Sequence, residues 1–99
     1  MMQLTRAGEY GVRAVIYLAA RPEGKIIFVG EISESQDIPK SFASKILQML
    51  VKSGLVRSQR GVKGGFMLAK PASQITLRDV IEVVEGTIFL NQCLIKKGE

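Results

Sequence analysis

The chain has 99 residues, 46% hydrophobic and 23% charged, which suits one small globular domain and excludes a disordered protein. It has no apolar run of the roughly 20 residues that span a membrane, and no basic and apolar segments typical of a secretory signal. Its single cysteine cannot form an internal disulfide, so we expect a cytoplasmic protein without a membrane partner.

The charge is unevenly distributed along the chain. The net charge is +5, and the segment from Ile38 to Arg78 contains eight basic residues and no acidic one. Such a surface is either simply solvated or suited to a polyanion such as nucleic acid. The chain has no histidine and no recognisable catalytic set, so we expect no enzymatic activity.

The first predicted helix runs from Arg6 to Ala20. Thr5 can cap its start, and Pro22 with Gly24 ends it. Small and apolar residues recur on one face, which predicts close packing against another helix. The apolar residues 26–28 then predict a short strand.

A proline-containing break separates the second and third predicted helices. The second runs from Val29 to Gln36, and the third begins at Pro39 and continues to about Ser53, where Gly54 stops it. Two helices joined by so short a turn predict a helix-turn-helix.

The third helix carries two contrasting faces. Phe42, Ile46, Met49 and Leu50 are predicted to form its buried stripe. The residues on and beside the opposite face can donate hydrogen bonds or carry positive charge: Ser41, Ser44, Lys45, Gln48 and Lys52. This face suits a helix in the major groove of DNA, whereas a merely solvated face would be expected to include glutamates.

A glycine-rich turn joins two predicted strands, Leu55 to Gln59 and Phe66 to Ala69. The turn carries Arg60 and Lys63, and an arginine on such a slim loop can enter the minor groove. Alternatively, the glycines serve only the turn geometry.

The fourth predicted helix runs from Thr76 to about Glu85. Thr76 and Asp79 form a cap, Gly86 ends the helix, and its apolar stripe comprises Leu77, Val80, Ile81 and Val84. The fold class is therefore mainly α with a small β-hairpin, a winged helix-turn-helix over residues 1–86. Residues 87–99 are expected to begin a C-terminal sensor and dimerisation region that is incomplete here.

These segments resemble the Rrf2 family of winged helix regulators. Similarity extends through the opening segment from Leu4 to Tyr10, the motif Glu31-Ile32-Ser33-Glu34 with Ile38-Pro39, and the stretch Lys52 to Val56. The most specific part is the wing, Arg60-Gly61 with Gly64-Gly65-Phe66 and Leu68-Ala69.

The resemblance implies a homodimer that binds pseudo-palindromic double-stranded DNA. It assigns major-groove reading to the start of the third helix, Lys40 to Lys45, and minor-groove contact to Arg60. Several members hold an iron–sulfur cluster through three cysteines, and Cys93 stands where the first is expected. Some take an acidic ligand from the first helix, where Glu9 stands, although a glutamate there also suits the helix dipole.

The sequence departs from that pattern by ending before the other two cysteines. A lone thiolate cannot supply the usual four ligands, so we expect no cluster in these 99 residues and place one only in a longer parent chain. Two alternatives stay open: a cluster-free regulator of this type controlled by a partner protein or small ligand, and a winged helix module for protein or RNA contacts.

Overall fold

The computed structural model describes residues 5–61 and 64–97, with side chains as far as residue 87. In these residues the elements are α1 (Arg6–Ala19), α2 (Val29–Gln36), α3 (Lys40–Lys52), β1 (Val56–Gln59), β2 (Gly65–Leu68), a 3-10 turn (Ala72–Gln74) and α4 (Leu77–Lys97). The predicted class, mainly helical with one hairpin, is confirmed. Across this described part of the chain, none of the helices combines the length and apolarity that crossing a bilayer requires.

Helix α1 begins at its predicted cap and packs closely on α4. The Thr5 hydroxyl accepts a hydrogen bond from the Gly8 amide at 2.9 Å, and the Thr5 amide donates to Glu85 Oε2 at 2.7 Å. A methyl group at Gly11 would lie 2.9 Å from Val84 Cγ2, so only glycine allows this close approach. The small residues of α1 therefore permit its contact with α4, as their spacing predicts.

The turn between α2 and α3 is held by local hydrogen bonds. Asp37 adopts a left-handed conformation with φ of 54°, which lets the chain reverse after α2. The Ile38 amide donates to the Ser33 carbonyl at 3.0 Å, and the Ser33 hydroxyl donates to the Ile38 carbonyl. Helix α3 begins at Lys40, one residue later than predicted, and Pro39 is the residue that precedes it.

Helix α3 leads into the hairpin through a glycine turn. Gly54 has φ of 87°, and the Leu55 amide donates to the Leu50 carbonyl at 3.0 Å, which ends the helix as predicted. Strands β1 and β2 pair antiparallel. From the predicted strand at residues 26–28, only Ile27 pairs with the sheet, through two 2.8 Å backbone hydrogen bonds with Phe66.

Helix α4 corrects two predictions. It does not end at Gly86 but continues to Lys97, and Leu77, assigned to its buried stripe, is 51% exposed. Val80 and Val84 are fully buried as predicted. Glycine costs a helix interior only about 1 kcal/mol, which the packing of the preceding turns on α1 can offset. The predicted division at residue 86 therefore lies within a helix, and whether it separates two functional regions stays a prediction.

Candidate nucleic-acid interface

Helix α3 separates an apolar face from a polar one. Its buried residues are Ala43, Ile46, Leu47 and Leu50, which follow the three- and four-residue spacing of one helix face. The residues predicted to address DNA are exposed, apart from the half-buried Ser44: Lys40, Ser41, Lys45, Gln48 and Lys52. The exposed face is therefore free of acidic groups.

Phe42 is not a core residue, which corrects the predicted buried stripe. It is 39% exposed, and its ring meets the Tyr10 ring edge-on, with 5.4 Å between ring centroids and 76° between ring planes. Ala43 is buried at the level of Phe42, Leu47 is also buried, and Met49 is only partly buried. The buried stripe is thus rotated slightly around the helix, and the Phe42 ring lies at the border between core and solvent.

The start of the wing is exposed, and its glycines stand where a side chain would be strained or would collide with the backbone. Arg60 follows β1 with its side chain in solvent, and Gly61 has φ of 118°, a conformation that favours glycine. A methyl group at Gly64 would lie 2.5 Å from the Gln59 carbonyl oxygen, and one at Gly65 would lie 2.5 Å from the Ile27 carbonyl oxygen. Gly64 and Gly65 are therefore required by the fold itself. Lys63 lies outside the described residues.

A groove of about 320 Å³ joins α3 to the wing. Gln48 of α3 and Arg60 line it together, although they are far apart in sequence. Phe28, Ser58 and Gln59 also line this groove, and sequence reasoning missed all three. Ser58 and Gln59 could have been recognised as hydrogen-bonding side chains at the wing's base, whereas only the tertiary structure brings Phe28, which is 48% exposed, to this place.

The acidic residues of α2 do not line this groove. Glu31 accepts a hydrogen bond from the Tyr17 hydroxyl, and this bond, helped by burial, raises the pKa of Tyr17 above 10.0. The bond ties α1 to α2. Glu34 and Asp37 are exposed on the outside of α2, as the sequence indicates.

Comparison with known proteins identifies this arrangement. Residues 4–99 match the sequence model of Rrf2, described as iron-dependent transcriptional regulators. The chain belongs to the Rrf2 family. It is accordingly a transcription regulator of a DNA-binding family, and the resemblance predicted from its motifs is confirmed.

Solved Rrf2-type regulators share the fold of this chain. The oxidized form of CymR from Staphylococcus aureus is 35% identical, with a TM-score of 0.77 over 86% of this chain and 68% of that one. CymR (YrzC), the global cysteine regulator of B. subtilis, is 29% identical, with a TM-score of 0.81 over 87% of this chain and 67% of that one. T. potens IscR is 29% identical, with a TM-score of 0.78 over 98% of this chain and 76% of that one.

The described residues do not by themselves fit an iron–sulfur cluster. Glu9, the acidic candidate, lies in the first turn of α1 and forms an ion pair with Arg13 at 2.5 Å. Among the side chains described, no three His, Cys, Asp or Glu residues converge in a way that could hold a metal ion. The Cys93 side chain lies outside the described part of the structure.

Proposed function

We propose that this Rrf2 regulator reads a specific DNA sequence through α3 and the wing together. The observation that carries the proposal is the acid-free exposed face of α3, which shares a groove with Arg60. A helix with such a face can lie between two phosphate chains in the major groove, while an adjacent arginine reaches the narrower minor groove.

The positions of the exposed residues along α3 support different roles in base and phosphate recognition. Ser44, Lys45 and Gln48 are placed to address base edges, and Phe42 offers an apolar ring suited to a thymine methyl group. Lys40 and Ser41 at the start of α3, Lys52 at its end and Lys63 in the wing are assigned to phosphates or neighbouring bases. The protein is proposed to act in the cytoplasm as a homodimer on pseudo-palindromic sites, as its family resemblance implies.

Selection of preferred sites from random duplexes tests the reading role of α3. We expect Ser44→Ala and Lys45→Ala each to change the preferred bases at one position, with a loss of about 1–3 kcal/mol per base contact. Arg78→Ala is the matched control, because the Arg78 side chain is 85% exposed on α4 and does not line the α3–wing groove. An unaltered consensus in both α3 variants would remove this helix as the reader.

Sensing is a separate proposal. The family's description as iron-dependent supports an iron–sulfur cluster in a longer parent chain, with Cys93 as one ligand and Glu9 as a weaker candidate. Cluster–thiolate bonds absorb between about 300 and 600 nm. Anaerobically purified full-length protein should show this absorbance and lose it in Cys93→Ala. A colourless full-length protein that still binds DNA would favour the cluster-free regulator controlled by a partner protein or small ligand.

A further inference from the structure

A second groove lies at the end of α1, away from the α3–wing groove. It has a volume of about 540 Å³ and shares no lining residue with the α3–wing groove. Three separate parts of the chain contribute basic side chains to it: Arg21 and Lys25 from the turn after α1, Arg57 from β1, and Lys70 after β2. We call it the basic groove.

The charges of the basic groove are only partly neutralised by the described protein: Glu31 lies beyond the Tyr17 hydroxyl that Arg21 contacts, and the charge of Lys70 acts on Asp79. Among the described residues, the ion pairs are Arg13–Glu9 and Arg78–Glu82, and neither involves a residue of this groove. Glu23 is the one carboxylate in its described lining. Four cations within one concavity repel one another, which a bound anion would relieve.

Arg21 provides an independent observation. Its guanidinium carbon lies 4.4 Å from the centroid of the Tyr17 ring, and its Nη1 donates weakly to the Tyr17 hydroxyl at 3.5 Å. Its Nε is buried without an acceptor in the described structure. A buried donor without a partner is costly, so Arg21 loses little if its guanidinium turns toward an anion in the groove.

We propose that the basic groove binds a small organic anion carrying two or more phosphate or carboxylate groups. The volume lies within the range of small-molecule sites, roughly 300–1,000 Å³. Arginine and lysine supply the donors that recognise phosphate and carboxylate oxygens. Met67 and Pro71 line the same groove and provide apolar contacts for a carbon skeleton. Duplex DNA is the less favoured occupant, because this concavity does not include any residue of the α3–wing groove.

Calorimetric titration of DNA-free protein with pyrophosphate and with citrate tests the proposal at about 0.15 M ionic strength, where charges more than about 8 Å apart are largely screened. We expect saturable binding of at least one of these probes. Arg57→Gln and Lys70→Gln should each raise its Kd about tenfold, as expected for the loss of one charge-assisted hydrogen bond. Arg78→Gln and Lys45→Gln remove the same charge elsewhere and should leave the Kd within about a factor of two. The altered side chains are exposed, and thermal melts confirm that each variant is folded.

Two outcomes would overturn the proposal. One is the absence of saturable binding for both probes, or an equal weakening by all four variants, which would reflect net charge alone. The other is a basic groove that serves DNA, in which case Arg57→Gln lowers the salt dependence of duplex binding and neither probe binds saturably. Loss of DNA binding in the α3 variants bears on the proposed reading function and leaves this test untouched.

Discussion

Arg60 and the glycines that follow it in the wing have different roles. The Arg60 side chain is exposed and lines the α3–wing groove, and within the described residues no side-chain hydrogen bond or ion pair of the fold depends on it. Gly64 and Gly65, in contrast, pass so close to the carbonyl oxygens of Gln59 and Ile27 that any side chain would collide. The glycines therefore shape the wing, and the arginine is free to contact DNA.

Replacing Arg60 distinguishes minor-groove recognition from simple charge attraction. We expect Arg60→Ala to weaken operator binding by about 1.5–3 kcal/mol, the usual loss for a charged hydrogen bond. Arg60→Lys should lose much of the same affinity, because lysine lacks the planar, weakly hydrated guanidinium that suits a narrow groove. Both variants are compared on one operator at fixed salt, with thermal melts as the folding control. Full recovery of affinity with lysine would contradict the minor-groove role.

Asp79 makes stability depend on pH at the start of α4. The Thr76 amide donates to its carboxylate at 3.1 Å, and the Asp79 amide donates to the Thr76 hydroxyl at 3.0 Å. The first of these bonds, then the Thr76 side chain, lowers the pKa of Asp79 below 3.8. Because the folded-state pKa is lowered, this stabilisation is present above the unfolded pKa and is lost as pH falls through the folded one.

Thermal melts between roughly pH 3 and pH 7 check this expectation. Asp79→Asn should melt lower than wild type near neutral pH, and the difference should shrink in acid as the wild-type carboxylate is protonated. Thr76→Ser is the control, since it keeps the capping hydroxyl and should retain the wild-type pH profile. A difference in melting temperature that stays constant across this range would contradict the assigned cause.

At the scale of elements, the contact of α1 with α4 outweighs local sequence preferences. Gly86 is a poor helix former, yet α4 continues through it, because the preceding turn is fixed to α1. Val80 and Val84 are fully buried, and the Glu85 carboxylate accepts a hydrogen bond from the Thr5 amide. The packing of α4 on α1 therefore stabilises α4 enough for the helix to continue through Gly86, a residue that would otherwise favour its end.

Two glycine substitutions separate packing from helix propensity. Gly11→Ala should lower the free energy of unfolding by about 1–3 kcal/mol, because its methyl group would lie 2.9 Å from a buried, branched valine. Gly86→Ala should instead raise it by about 0.5–1 kcal/mol, since nothing described lies within 4 Å of the added methyl group. Urea unfolding measures both. If the two changes shifted stability in the same direction, the close α1–α4 contact would not be as described.

At the scale of the whole molecule, charge placement matters more than net charge. The described basic residues between Ile38 and Arg78, Arg78 itself excepted, fall into two regions: the α3 face with the wing, and the basic groove. Each region draws on elements that are distant in sequence. The surface proposed to bind a duplex and the groove proposed to bind a small anion are therefore separate, and the two proposals can be tested independently.

The slope of DNA affinity against salt concentration reports how many phosphates the protein contacts. Lys52 is exposed at the end of α3, and Lys52→Ala should weaken binding to all duplexes similarly and reduce the salt slope by roughly one ion. Lys63→Ala is expected to do the same. Arg78→Ala loses one charge of the same sign outside the interface and should keep the wild-type slope. Lys52 would be excluded from the phosphate interface if its variant also kept that slope.

The amino-acid sequence predicted the order of the helices and of the hairpin, and the approximate limits of every helix except α4. Thr5, Pro22, the Asp37–Pro39 break and Gly54 act through local backbone geometry, so their effects can be predicted without tertiary information. The acid-free face of α3 was equally predictable, because three- and four-residue spacing places side chains on one face of any helix. The family motifs added a resemblance that the comparisons confirm.

Tertiary packing determines which apolar residues are buried and which distant residues come into contact. Phe42 and Leu77 have the right spacing for burial, yet both are partly exposed because none of the described elements covers them fully. The basic groove and the α3–wing groove each join residues from several segments, and no local pattern specifies such meetings. Helix continuation through Gly86 has the same origin: contacts between elements exceed the roughly 1 kcal/mol by which a single residue favours or disfavours a helix.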